Sequence, residues 1–245
     1  MLALSVNSFL LEKADTKPSE CEDAIAVDVQ ALRFAIADGA TEGFNSRRWA
    51  KRLVSAWIRR PPGEINILSL RDDVSALGTK STARFARRKL PWYLEEKARQ
   101  GSFAAFLGLQ IAPDGRWTAL ALGDCCLIQE TTSGASSFPI STPEEFDNRP
   151  ILVPSLIDNY PRCIEHAREL AGVSLPGDLL LLMSDAIACW YLGAAEQNPS
   201  AKLRLHHALA HSNRKDATSL IVEERAARRL RNDDVAIVRI EVTSV

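Results

Sequence analysis

Phe34-Ala35-Ile36-Ala37 is an uninterrupted apolar run that stops on Asp38-Gly39, and the rest of the chain can be read around that stop. The apolar part reads as a buried strand, and Asp38 is the first side chain that strand delivers to the surface. A carboxylate at a strand end, followed by a glycine that lets the backbone come close, is one way to hold a cation. It is equally a way to make a turn, since Asp and Gly favour tight turns for backbone reasons alone. The layout returns in Leu179-Leu180-Leu181-Leu182-Met183-Ser184-Asp185, again apolar run, acid and small residue. Deciding between the two readings requires partners from elsewhere in the chain.

Ahead of this stretch, Leu2, Leu4 and Val6 alternate with small or polar residues and suit an edge strand, and Glu12 to Glu20, with Pro18, reads as a loop. Ala24 to Val29 is a second strand with Asp23 at its start, and the short link Gln30 to Leu32 suggests that these three strands are antiparallel neighbours. Trp49, Leu53, Ala56 and Trp57 then recur at helical spacing, in a helix stopped by Pro61-Pro62. A longer helix is expected over Leu77 to Gln100, with Phe85, Leu90, Trp92, Tyr93 and Leu94 on its apolar side and a kink at Pro91.

Ser102 to Ile111 and Trp117 to Gln129 read as a hairpin turning on Pro113-Asp114-Gly115. The second run contains Leu122-Gly123-Asp124-Cys125, so an acid interrupts a buried strand and needs a partner to offset several kcal/mol of desolvation. Residues 131 to 162 read as irregular, lid-like structure and Glu165 to Ala171 as a short helix. After the Leu179 to Met183 strand, helices are expected over Ile187 to Leu192, Leu203 to Ala210 and Ala217 to Leu230. Asn232-Asp233-Asp234 precedes a last strand, Val235 to Val242.

Composition narrows the function classes. A chain of 245 residues is expected to form one domain, 1–245, with an ordinary core. Thirty basic and thirty-one acidic residues leave no global field for nucleic acid or an anionic membrane. The cluster Arg84, Arg87, Arg88 and Lys89 is read as the solvated face of a helix. No apolar run reaches the ~18 to 20 residues that span a bilayer, and Met1 to Leu11 lacks the pattern of a signal peptide. Cys21, Cys125, Cys126, Cys163 and Cys189 are odd in number and hold no Cys-x-x-Cys pair, which points to reduced, mostly buried thiols and a cytoplasmic location.

Four separated strands thus carry an acid at one end: Asp23 and Asp233 at starts, Asp38 and Asp185 at finishes. In an antiparallel sheet, starts and finishes of neighbouring strands share an edge, so these acids can converge on one cleft. Oxygen-rich and without thiolate or imidazole at ligand spacing, such a cleft favours Mg²⁺ or Mn²⁺ over Zn²⁺. Any one of the four serves equally well as a turn residue or cap.

Glu22-Asp23-Ala24, Phe34 to Gly39, Leu122-Gly123-Asp124-Cys125, Leu181 to Asp185 and Asp233 to Val238 together resemble, in order and separation, the motifs of the metal-dependent PP2C (PPM) serine/threonine phosphatases, in a divergent, bacterial-like form. The resemblance implies an α+β fold, a four-layer α-β-β-α sandwich of two antiparallel sheets flanked by helices. It implies a protein phosphatase using two Mn²⁺ or Mg²⁺ ions, with Asp38 bridging them and Gly39 lending its carbonyl. Glu22 and Asp23 would serve one ion, and Asp185 and Asp233 the other. Asp124 with Asp185 would hold a third, weaker ion, and Asp38, Asp185 and Asp233 would carry the catalytic burden. The implied partner is a phosphoprotein, the target of a serine/threonine kinase, with neither nucleic acid nor membrane. Two cations about 3.5–4 Å apart acidify a water and neutralise phosphoryl oxygens.

The chain also departs from the family pattern. Ala40 stands where many members have histidine, and Ser184-Asp185-Ala186 replaces Ser-Asp-Gly. No arginine near the N-terminus is placed to clamp phosphate. These departures motivate the alternative of a catalytically weak binding or regulatory module on the same fold. His166, His206, His207 and His211 lack carboxylates or thiolates at ligand spacing and read as structural, and Cys125 and Cys126, in a core strand, are poor nucleophiles.

Overall fold

A computed structural model describes residues 2–41, 43–60, 76–78, 91–146, 149–156 and 163–244. Two antiparallel sheets lie face to face with helices on their outer faces, the four layers that the motif order implies. One sheet runs β1 (Leu2–Leu11), β11 (Val235–Ser244), β10 (Leu179–Met183), β6 (Cys126–Thr131), β7 (Gly134–Phe138). The other runs β2 (Ala24–Asp28), β3 (Arg33–Gly39), β4 (Phe103–Ile111), β5 (Arg116–Leu122), β9 (Arg168–Val173), with the two-residue β8 (Val153–Pro154) paired to β4.

Strand alternation explains why the apolar runs have no polar interruptions. Phe34 and Ile36 point between the sheets, where they meet Leu107, Leu109, Leu180, Leu182, Val238 and Ile240. Ala35 and Ala37 point outward against Trp49, Leu53 and Trp57 of α1 (Ser46–Ile58). On β10 the same division sends Leu180 and Leu182 inward. Leu181 and Met183 face α3 (Asp185–Gln197), α4 (Pro199–Ala210) and α5 (Arg214–Ala226). Each strand is buried on both faces, so each residue must be apolar. A fully buried Leu, Ile or Phe contributes about 1.5–3 kcal/mol. Small outward residues on β3 and β4 let α1 approach closely: a Cβ on Gly108 would lie 2.5 Å from the Trp57 ring.

Several elements differ from the sequence reading. β1 lies on an edge as expected, but it pairs with β11 over Leu2↔Ser244 to Leu11↔Val235, not with β2. Trp117 to Gln129 is not one strand. Gly123, at φ 104°, ends β5, and the chain crosses to the other sheet as β6. Asp124 therefore sits in the crossing and interrupts no ladder. Glu165 to Ala171 is no helix, because residues from Arg168 onward form β9, pairing with β5 along an exposed edge. Residues 131 to 162 include β7, a 3₁₀ turn over Pro143–Glu145 and β8. Of the Leu77 to Gln100 helix, Trp92–Gln100 forms α2 and Pro91 is its N-cap rather than a kink. Phe85, Leu90 and the Arg84 to Lys89 cluster lie outside the described residues. Among the described residues no helix is long and apolar enough to cross a membrane.

Candidate active site

At one end of the sandwich β2 begins and β3 finishes in one sheet, while β10 finishes and β11 begins in the other. The β2–β3 register pairs Ala24 with Ala37, and its continuation sets Asp23 opposite Asp38. β10 and β11 pair Met183 with Ile237, so the residues after Met183 and those before Val235 emerge together. Ser184 fastens this junction: its N–H donates to the Ala236 carbonyl at 3.0 Å and its hydroxyl accepts from the Ala236 N–H at 2.9 Å.

Asp23 is 1% exposed, and both of its carboxylate oxygens are buried without a hydrogen-bond partner. Burial above all, and then the charge of Asp38, push its carboxyl well above the usual range. Asp38 is pushed up to about 7, first by burial and then by the charges of Asp124 and Asp233. Mutual repulsion in a dry site makes these carboxylates hungry for a cation or a proton. Asp124 is buried at 5% exposure. Asp233 and Asp234 also face the cluster, adding to the perturbation of both Asp23 and Asp38.

Gly39 is required by crowding. A Cβ there would lie 2.8 Å from the backbone carbon of Ser46 and 3.0 Å from the Glu22 carbonyl oxygen. Only a residue without one lets α1 and the Asp23 loop close over the end of β3.

Glu22 and Asp185 are held by other groups. Glu22 pairs with Lys13 at 3.5 Å. Asp185, in the first turn of α3, pairs with Arg231, whose Nε also lies 3.7 Å from Asp233. Among the described residues no three Asp, Glu, His or Cys side chains already close into a ligand cage. The donor set nevertheless fits a hard divalent ion: carboxylates only, one with both oxygens orphaned, beside a glycine that brings a carbonyl close. Asp23, Asp38, Asp124, Asp233 and Asp234 act on one another at this end of the sandwich, with Glu22, Gly39 and Asp185 on the segments beside them.

Three polar residues of the site escaped the sequence reading. Asp234 is 4% exposed and accepts from the Lys13 N–H at 2.8 Å and the Glu22 N–H at 2.7 Å, tying three segments together. Lys13 has its ammonium 3.4 Å from the Thr41 hydroxyl. Burial opposes the Lys13 charge, but Glu22, Asp234 and Asp233 together outweigh it and raise its pKa. Arg231 is the third. The doubled acid Asp233-Asp234 was the available signal for Asp234, while Lys13 and Arg231 carried none.

The thiols agree with the sequence reading. All five are free, and Cys125 and Cys126 are wholly buried. Burial pushes Cys126 up to about 12 and Cys125 well above the usual thiol value, so neither is a nucleophile at neutral pH. His206 is hydrogen-bonded at 2.6 Å to the Tyr191 hydroxyl, a structural role.

No family model and no curated protein matches the sequence. Solved structures do match in three dimensions over the whole chain. The catalytic domain of the serine/threonine protein phosphatase PstP, in complex with two manganese ions, aligns with a TM-score of 0.66 at 15% identity, covering 100% of both chains. The fold is that of the PP2C-type phosphatases. Stp1, a serine/threonine phosphatase from Staphylococcus aureus, aligns at 0.66 and 13% identity over 99% of this chain and 96% of its own. RsbX in complex with magnesium aligns at 0.55 and 15% identity, covering 99% and 100%. At such identities the likeness is one of PP2C architecture, and the site residues must be argued from their own geometry.

Proposed function

We propose that the chain is a single PP2C-type domain, 1–245, that hydrolyses phosphoserine or phosphothreonine in proteins with Mn²⁺ or Mg²⁺. The observation that carries this is Asp23: a buried carboxylate whose two oxygens make no hydrogen bond, opposite Asp38, at the end of the sandwich where β2 and β11 begin. A structural acid in that position would have been given a hydrogen-bond partner. The manganese and magnesium complexes among the structural neighbours support dependence on a divalent ion.

Glu22, Asp23, Asp38 and the Gly39 carbonyl would hold one ion, with Asp38 shared, and Asp185 and Asp233 the other. Asp124 and Asp185 would hold a third. When bound, such ions acidify water and neutralise phosphoryl oxygens. The chain's own residues do the rest. Asp38 is held rigid by its strand, Asp234 fixes the Glu22 backbone, and Lys13 brings a positive charge that draws a phosphate dianion toward the acids. Buried Phe34 and Ile36 close the floor against water. The soluble phosphoprotein substrate is the product of a kinase, and the reaction belongs in the cytoplasm.

A second reading is a regulatory module that keeps the fold with weak catalysis. It is favoured by Arg231, which already neutralises Asp185, and by Ala40 and Ala186 in place of the family's histidine and glycine. Hydrolysis of p-nitrophenyl phosphate and of a phosphothreonine peptide separates the two. Metal-dependent turnover, lost in both Asp38→Ala and Asp185→Ala, is the expected result. Turnover no greater than that of Asp38→Ala with every divalent metal tried would leave the module.

A further inference from the structure

A cavity of about 380 Å³ adjoins the acid cluster on the Asp185 side. Its apolar wall includes Phe146 and Trp190, and its polar wall is Arg228, Arg229 and Arg231, with Ala186 at the inner end beside Asp185. No carboxylate lines it among the described residues. The three arginines are not equivalent. Arg229 is spent on the buried Glu224 at 2.7 and 2.8 Å, and Arg231 on Asp185. Arg228 is exposed, sits at φ 58° just beyond the end of α5, and forms no ion pair among the described residues. Its charge is free for something outside the chain.

The opposite flank has contrary chemistry. A cavity of about 370 Å³ beside Asp124 is lined by Glu145 and Glu165 as well, with His166 and Arg168. The Pro143–Glu145 turn divides the two, giving Pro143 to the arginine side and Glu145 to the acid side. Among the described residues, a chain crossing the site therefore meets three arginines and no acid on one side, and three acids with a single arginine on the other.

We propose that the arginine-lined cavity receives acidic side chains flanking the phosphorylated residue, so that the preferred substrate is an acid-flanked phosphoprotein segment. Guanidinium groups favour carboxylates through paired N–H donors, and Phe146 and Trp190 bury the methylenes of the same side chains. Arg228 supplies the free charge. A metal ion at Asp185 would release Arg231 to join it.

The inference rests on the phosphatase reading, and its test is arranged to fail separately from it. Two phosphothreonine peptides of equal length are compared with the Mn²⁺-loaded protein, one with acidic and one with basic residues on both sides. The acid-flanked peptide is expected to have a kcat/KM higher by about fivefold, expressed in KM. Arg228→Glu should bring that ratio to one or below, with Arg228→Gln in between. A wild-type ratio of one or less, or a ratio that Arg228→Glu leaves unmoved, overturns the proposal. If neither peptide is hydrolysed, the phosphatase reading fails, and fluorescence anisotropy of the same labelled peptides decides the cavity alone. Tighter binding of the acid-flanked peptide, abolished in Arg228→Glu, supports it, and equal or no binding overturns it.

Discussion

Asp23 is costly where it stands. Its buried oxygens make no hydrogen bond, the Ser184 hydroxyl only partly offsets burial and the charge of Asp38, and the nearest charges are those of other acids. Asp23→Asn keeps the shape and removes the charge. Thermal unfolding at pH 8 is expected to show the metal-free variant roughly 1–3 kcal/mol more stable than the parent. The same substitution should abolish stabilisation by Mn²⁺. A less stable metal-free variant would mean that Asp23 has a structural partner. Asp23 alone was ambiguous in the sequence, an acid at a strand start serving equally well as a turn residue, and only the set of four strand-end acids singled it out. Asp234 was less legible still: its carboxylate serves backbone N–H groups from residues 13 and 22, a link over more than two hundred positions that no local pattern records.

The buried strands β3, β10 and β11 and the edge strands β1 and β2 were read as strands, whereas the edge strand β9 and the break between β5 and β6 were not. β3, β10 and β11 announce themselves as apolar runs, whereas β9, exposed along most of its length, has no alternation and passes for helix. The β5–β6 break was hidden because residues on either side of Gly123 are equally apolar. Between the outer helices and their sheet lies one polar knot. Glu130 on β6 accepts from Tyr191 at 2.8 Å and pairs with Lys202 at 2.6 Å. Burial works against the Glu130 charge, but the Lys202 and Tyr191 bonds outweigh it and hold its carboxyl below 4.5. A depressed folded pKa gives stability that is present above the unfolded value and lost as pH falls through the folded one. Glu130→Gln should therefore lower the melting temperature by roughly 2–4 °C at pH 7, about 1 kcal/mol. That deficit should shrink below pH 4.5, the ordinary glutamate value. A deficit independent of pH would show that packing, not charge, is at stake.

For the molecule as a whole, the acids at the open end repel one another in the metal-free state, and any ion bound there stabilises the native chain only. At Mn²⁺ a hundredfold above its Kd, the gain is about 2.7 kcal/mol, reversed by chelator. Differential scanning calorimetry should show a rise of several degrees with Mn²⁺ and none in Asp38→Ala. An equal rise in both would place the ion elsewhere. The interior position of β11 has a further consequence. It lies between β1 and β10, so the last strand is inserted between the first and one formed late. Until it arrives, the first sheet is two separate pieces and Asp233 is missing from the site. Native contacts of such long sequence separation make folding slow. During synthesis the nascent chain must hold two unpaired strand edges until residues 235–244 have left the ribosome.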